Sequence, residues 1–186
     1  TQGTGSNVVI PNGGIKMVVA DGAGSGAAIT DVLDLTGGTG NVGLGSGNLG
    51  TALTTGTDNV AIGENAGDAL TTGSENTFVG DNAGGTTTTG ASNTGLGAFA
   101  LDANTTGDYN VAVGRNALTG VTTGDKNIGI GNAAGADITT GDSNVLIGAG
   151  AGDAITTASN HVGIGQSALG ANTTGTNNTA VGRESM

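Results

Sequence analysis

The sequence contains no cysteine and no tryptophan, one proline and only 2% aromatic residues. Without cysteine the chain has neither disulfide bonds nor thiol chemistry. Four basic residues stand against 15 acidic ones, which gives a formal net charge of −11. This charge argues against a phosphate-binding surface, so we expect no nucleic-acid partner. No apolar run reaches the roughly 18 residues that a membrane span needs, so we expect no membrane insertion.

Glycine is abundant, with 40 of 186 residues, and asparagine recurs in a fixed repeat. Counted from Asn59 as offset zero, the unit returns every 17 residues, and one earlier copy begins 18 residues before Asn59. The repeat predicts eight full units over 41–177 and the start of a ninth, which argues against disorder. The corner Asn column is Asn41, Asn59, Asn76, Asn93, Asn110, Asn127, Asn144 and Asn178, with His161 in the remaining place.

Two further columns hold in every unit, and both lie just after the asparagine. Offset three is always Leu, Ile or Val, and because side chains of a strand alternate, we expect offsets one and three to point into a core. The predicted core column is Leu44, Ile62, Val79, Leu96, Val113, Ile130, Ile147, Ile164 and Val181. Offset four is always glycine, which supplies the positive φ of tight corners. The predicted corner glycines are Gly63, Gly80, Gly97, Gly114, Gly131, Gly148, Gly165 and Gly182.

A unit of this length is too short for a helix pair or a propeller blade, but it fits one coil of a β-solenoid. We therefore predict an all-β fold, a parallel β-solenoid or β-roll over 41–186 with coils stacked about 4.8 Å apart and a length of about 38 Å. The asparagine column predicts a ladder of stacked side-chain amides. Residues 1–40 do not repeat, and we expect a small β-rich N-terminal module there. Its predicted strands are 8–10 and 15–19, and the segment 27–35 fits a helix or a strand.

Small residues occupy the other strand face and a second column. Offset two is Gly or Ala in seven of nine units, and offset seven is Ala in all seven 17-residue units. Columns of small residues on the outside let two backbones approach closely, so we expect coils to pack against other chains. The predicted assembly is a homotrimer, intertwined or side by side; the alternative is a monomeric solenoid with a small-residue surface.

Several of these strings are similar to known repeats. The strings "DNVAIG" at 58–63, "NIGIG" at 127–131 and "NTAVG" at 178–182 resemble the N-S-V-A-I-G signature of trimeric autotransporter adhesin heads. That resemblance implies a parallel β-roll that associates as a trimer. The unit here is longer, however, and Asn replaces the Ser of the motif. The string "NTTG" at 104–107 and 172–175 also resembles repeats of bacteriophage tail fibres.

The N-terminal segment adds to the second resemblance. "IKMVVADGAG" at 15–24, followed by "AITDVL" at 28–33, is similar to small modules in fibre and structural proteins of marine tailed phages. The resemblance implies a structural fibre segment of a virion, with partners among other virion or fibre proteins and a host-surface glycan or protein. The alternative that it leaves open is a bacterial trimeric adhesin head at the cell surface.

The sequence offers no constellation for catalysis. His161 is the only histidine and has no cysteine beside it, so we expect neither a catalytic nor a metal role. "GTGNVG" at 38–43 precedes no predicted helix, and no serine has a base to form a nucleophilic pair. The acidic residues before the asparagines are expected to be solvated rim charges, with adventitious Ca²⁺ as the alternative. We expect no enzyme activity and no cofactor.

The Thr-Thr pairs near the end of each unit raise a third function, ice binding. Two columns of outward threonines would need Thr two apart, but offset eleven is Leu70, Val121, Ile138 or Ile155 in half of the full units. We therefore rank ice binding below the fibre and the adhesin. The ninth unit stops before its Thr-Thr-Gly corner, which predicts that more chain follows or that another protein docks on that edge.

Overall fold

The computed structural model describes residues 16–20, 29–34, 40–49 and 53–186. Within them lie eleven strands, all in one sheet and in chain order. They are β1 Lys16–Ala20, β2 Ile29–Asp34, β3 Val42–Leu44, β4 Val60–Ile62, β5 Thr77–Val79, β6 Thr94–Leu96, β7 Val111–Val113, β8 Ile128–Ile130, β9 Val145–Ile147, β10 Val162–Ile164 and β11 Thr179–Val181. The strand predicted at 8–10 lies outside the described residues, and the segment 27–35 contains a strand.

The solenoid begins at β3. From β3 to β11 neighbouring strands are parallel and in register, so that Ile128 pairs with Val145 and Ile130 with Ile147. The strands β1 and β2 pair antiparallel, and β2 joins the solenoid antiparallel through Asp34 and Gly43. The prediction of an all-β parallel solenoid is confirmed, and the described residues contain no helix. Among those residues, accordingly, no helix of the length and apolarity of a membrane span is found.

A left-handed glycine follows each of β3 to β11. Gly114 has φ 129°, and a Cβ there would lie 2.6 Å from the carbonyl oxygen of Gly131 in the next coil. Glycine is therefore needed at offset four both for its φ and for the close approach of successive coils. Other left-handed positions in the coil take larger residues, such as Asn116 at offset six, Leu118 at offset eight and Lys126 at offset sixteen.

The predicted core column is wrong, because the strands face the other way. Leu44, Ile62, Val79, Leu96, Val113, Ile130, Ile147, Ile164 and Val181 lie on the outside of the coil, and Ile62, Leu96, Ile130, Ile164 and Val181 are 38, 36, 37, 38 and 68% exposed. The middle residue of each strand from β4 to β11 is buried instead. The small residues of offset two therefore line the coil interior and do not face partner chains.

The reason is the narrowness of that interior. A Cβ on Gly129 at offset two would lie 2.9 Å from the carbonyl oxygen of Ala134 at offset seven, so the two walls of one coil almost touch. The same Cβ would lie 2.7 Å from Leu118 Cγ, so an isoleucine at offset two of every coil does not fit. The larger core residues enter from offsets eight and eleven, as Leu118 and Ile138 do, and both are fully buried.

Where offset two carries a large residue, glycines surround it in the core. Phe78 occupies offset two of its coil, and a Cβ on Gly84 or Gly95 would lie 2.5 or 3.1 Å from its ring. Leu146 occupies the same offset four repeats later in β9, and a Cβ on Gly152 or Gly163 would lie 2.6 or 3.1 Å from its methyl groups. Each large side chain thus fills the space that its neighbouring glycines leave, which keeps the core close-packed.

Candidate functional site

The outer sheet face is formed by the side chains at offsets one and three of β3 to β11. Offset one is Val, Ile or Thr and offset three is Leu, Ile or Val in all nine strands, and none of these residues is charged. The strands are in register, so each of the two columns runs straight along the rod. Exposed apolar patches of this extent usually mark an interaction surface.

Sequence analysis missed this surface because it assigned the same residues to the core. Alternation identifies which side chains share a face of a strand, but it does not say which face is inward. The sequence does contain a pattern that indicates the inward face. Where offset two carries a large residue, offset eight carries glycine, as in Phe78 with Gly84 and Leu146 with Gly152. Such an exchange indicates that both offsets share one enclosed space.

The corner asparagines form the amide ladder expected from their spacing. The Asn110 side chain accepts a hydrogen bond from the Asn127 backbone N–H at 2.9 Å and donates one to the Gly124 carbonyl at 2.8 Å. The same acceptor bond links every step from Asn41 to His161. From Asn59 to Asn144 these side chains are completely buried, so their role is to join one coil to the next.

His161 continues this ladder with an imidazole in place of an amide. Its Nδ1 accepts a hydrogen bond from the Asn178 backbone N–H at 3.3 Å, and its Nε2 lies 3.4 Å from Asn172 Nδ2. Burial lowers the pKa of His161, while hydrogen bonds with the backbone of Gly175 and Asn178 act in the opposite direction. The neutral ring is therefore the form that fits the ladder, and the role of His161 is structural, like that of the asparagines.

The acidic residues before the asparagines belong to two different columns. Asp108, Asp125 and Asp142 occupy offset fifteen, and the Oδ1 atoms of Asp125 and Asp142 each accept the backbone N–H of the preceding aspartate at 2.8 Å. Asp58 and Glu75 occupy offset sixteen, where the backbone is left-handed. The offset-fifteen carboxylates therefore stack as a second ladder in addition to carrying charge.

No described residues form a group of three or more His, Asp or Glu side chains that could hold a metal ion. Among the acidic residues of the solenoid, Asp102 at offset nine has a pKa that is raised, first by burial and then by the negative charge of Asp81.

The two threonines of each corner differ in their surroundings. The hydroxyl of Thr105 at offset twelve donates to the carbonyl of Thr122 in the next coil at 3.0 Å, and the same bond recurs along the column. Thr106 at offset thirteen is exposed. The first threonine of each pair thus belongs to the coil-to-coil bonding, and only the second column is free for an outside partner.

The chain was compared with protein-family models, with curated proteins and with solved structures, and none of these matches it. Its function is therefore inferred from its own sequence and fold.

Proposed function

We propose that the chain is a structural segment of a phage tail fibre, a homotrimeric rod that positions or contributes to host-surface attachment and carries out no catalysis. The observation that carries the proposal is the outer sheet face, an uncharged and partly exposed apolar surface on all nine solenoid strands. A surface of this kind is stable in water when another apolar surface covers it.

The partner that best fits this face is another copy of the chain. A second copy has the same spacing between coils, so each of its coils places an apolar residue opposite a coil of the first copy. The contacts can therefore repeat along the full length of the two rods. The charged residues support the same arrangement, since the outer sheet face carries none of the charges that give the chain its net charge of −11. Closed rotational symmetry is the usual result when such an interface joins identical chains.

The sequence resemblance supplies two parts of the proposal, the trimeric state and the location in a virion. Heads of trimeric autotransporter adhesins associate as trimers of parallel β-rolls, and the "NVAIG" string at 59–63 resembles their signature. The N-terminal strings at 15–24 and 28–33 resemble fibre modules of tailed phages and favour the virion over the bacterial surface. The fibre reading implies attachment to other fibre proteins and, at the far end, contact with a host-surface glycan or protein.

The assembly is tested with Ile130→Asp, because Ile130 lies on the outer sheet face and is 37% exposed in the single chain. We expect the native chain to scatter light as a trimer and the variant to be a monomer with an unchanged circular dichroism spectrum. The matched control is Thr123→Asp, an exposed residue on another side of the coil, which should remain trimeric. A monodisperse native monomer would overturn the proposal.

The location is tested by gold-labelled antibodies against the solenoid, applied to phage particles and to bacterial cells. Label on the fibres of purified particles is the expected result. Label on the cell surface with none on particles would favour the bacterial adhesin instead.

A further inference from the structure

The outer sheet face leaves one problem of assembly unsolved if it joins copies of the chain, as the proposed function assumes. Every solenoid coil presents nearly the same two apolar side chains, so a copy that slides along the rod by one coil meets an almost identical surface. A slide by one coil gives up a single layer of contact and keeps the rest. An apolar face of uniform composition therefore specifies the partner without specifying the axial register.

Two neighbouring strands interrupt the uniformity. Offset one is Thr77 in β5 and Thr94 in β6, and these residues are direct partners across the sheet. The strands on either side carry Val60 and Val111 at the same offset. A third threonine, Thr179, lies at the far end of the column in β11. The pair in β5 and β6 is the one place in the column where two polar steps are adjacent.

The hydroxyls of this pair have no partner among the residues that the structure describes. Thr88 and Thr105, in the same coils, donate their hydroxyls to the backbone of the next coil at 3.0 Å. Neither Thr77 nor Thr94 makes a side-chain hydrogen bond to any of the residues described. Both are partly buried already in the single chain, and covering the face removes the water that now satisfies them. A hydroxyl buried without a partner is costly, so these side chains need a partner in the neighbouring copies.

We infer that Thr77 and Thr94 fix the axial register of the assembled rods. With all copies in register, each of the two layers brings identical threonines together, and a hydroxyl both donates and accepts, so every member of a layer is satisfied. A slide by one coil sets Thr77 of one copy beside Thr94 of another but leaves the remaining hydroxyls against Val60 and Val111. A single polar layer in an otherwise apolar seam specifies register in coiled coils by the same physics.

The experiment uses the absence of cysteine from the native chain, which makes introduced cysteines the only thiols. Two variants of different tag mass, Val113→Cys and Ile130→Cys, are assembled together and oxidised. Val113 and Ile130 occupy offset three of neighbouring strands, so disulfides between like positions report copies in register and disulfides between unlike positions report a slide of one coil. Each assembly is made in the native background, in Thr77→Val/Thr94→Val, and in Thr72→Val/Thr89→Val as the matched control at exposed offset thirteen.

We expect disulfides between like positions in the native and control backgrounds, with unlike pairs rising at least severalfold in Thr77→Val/Thr94→Val. If that variant stays as strictly in register as the native chain while remaining oligomeric, the inference is overturned. Light scattering on the same samples separates the two proposals. A native chain that is monomeric and forms no disulfides refutes the proposed function itself, whatever the threonines do.

Discussion

At the scale of single residues, the corner asparagines hold the coils together. Asn110 supplies a buried acceptor to one neighbouring coil and a buried donor to another segment, and both bonds are shorter than 3 Å, at 2.9 and 2.8 Å. Side-chain amides suit this position because one group carries both an acceptor and a donor. Regular backbone pairing alone would leave these corner groups without partners in the interior.

We expect Asn110→Ala to destabilise the chain strongly. The change leaves the Asn127 N–H and the Gly124 carbonyl buried without partners, at about 1–3 kcal/mol for each group. Urea unfolding followed by circular dichroism measures the loss. Thr123→Ala, on the exposed side of the same unit, should change the free energy of unfolding by less than about 0.5 kcal/mol. Equal losses in the two variants would contradict the proposed role of the ladder.

The imidazole in the ladder makes one step sensitive to pH. Burial lowers the pKa of His161 in the folded chain below its ordinary value of about 6.5. When the pH falls below that value, the unfolded chain binds a proton that the folded chain does not, so stability decreases towards acid. Protonation also turns Nδ1 from an acceptor into a donor that faces the Asn178 N–H.

The difference between the native chain and His161→Asn isolates this effect, because all other titrating groups are shared. We expect the variant to be at least as stable as the native chain at pH 7.5, and its advantage to grow as the pH is lowered from 6.5 to 5. Thermal unfolding at several pH values gives the measurement. A difference that stays constant across this range would show that His161 does not titrate with folding.

At the scale of one element, a coil is stable only if its few core residues fit those of its neighbours. We expect Gly84→Ala to destabilise the chain, because the new methyl group would lie 2.5 Å from the Phe78 ring. Overpacking of this kind costs about 1–3 kcal/mol. The left-handed φ of 60° at this position adds about 1–2 kcal/mol more. Denaturant unfolding of the single variant gives the sum of the two effects.

A double-mutant cycle separates them. In a Phe78→Ala background the clash disappears while the backbone strain stays, so Gly84→Ala should cost less there than in the native chain. The same cost in both backgrounds would mean that Phe78 and Gly84 do not share one space.

The period, the parallel pairing and the glycine at offset four follow from sequence because each depends on spacing alone. The direction of the strand faces does not. Ile130 is larger and more apolar than Gly129, so a rule based on hydrophobicity places Ile130 inside. The structure places Gly129 inside, where the opposite wall of the coil at Ala134 and the Leu118 side chain leave no room for a larger residue. The distance between those walls depends on the path of the whole coil, which no local pattern of residues contains.

The same limit applies to the candidate site. Its residues were all identified as a column, but their role changed from core to surface once the coil path was known. The ladder at offset fifteen does not follow from the sequence pattern either. Asp108 and Glu75 both lie just before a corner asparagine, but the structure places them in different columns.

At the scale of the whole molecule, stability is the sum of similar coils and of the contacts between neighbours. We therefore expect that deletion of residues 111–127, one complete unit of 17 residues, leaves a folded and shorter solenoid. Asn110 is then followed by Ile128, and every column keeps its phase. Circular dichroism should retain its native shape, and the unfolding transition should remain a single one with a slightly lower midpoint.

Deletion of residues 112–127 provides the matched control, since it removes one residue fewer from the same place. The later coils then shift by one position relative to the earlier ones, which turns core residues outward and breaks the asparagine ladder. We expect this variant to lose most of its stability. If both deletions behaved alike, the columns would not be what holds the molecule together.

The direction of the bonds between coils decides how the rod responds to force. The backbone bonds of the strands and the bonds that the asparagine side chains accept run from one coil to the next along the rod axis. Compression presses the coils together, and the whole sheet resists bending. Tension on the two chain ends, by contrast, loads only the last coil at each end. That coil peels away, and the next one then takes the load, each releasing about 50 Å of chain. A single chain under tension would thus lengthen in steps, as one coil unfolds after another. In the proposed fibre, the load would therefore have to pass sideways to other copies of the chain through the outer sheet face.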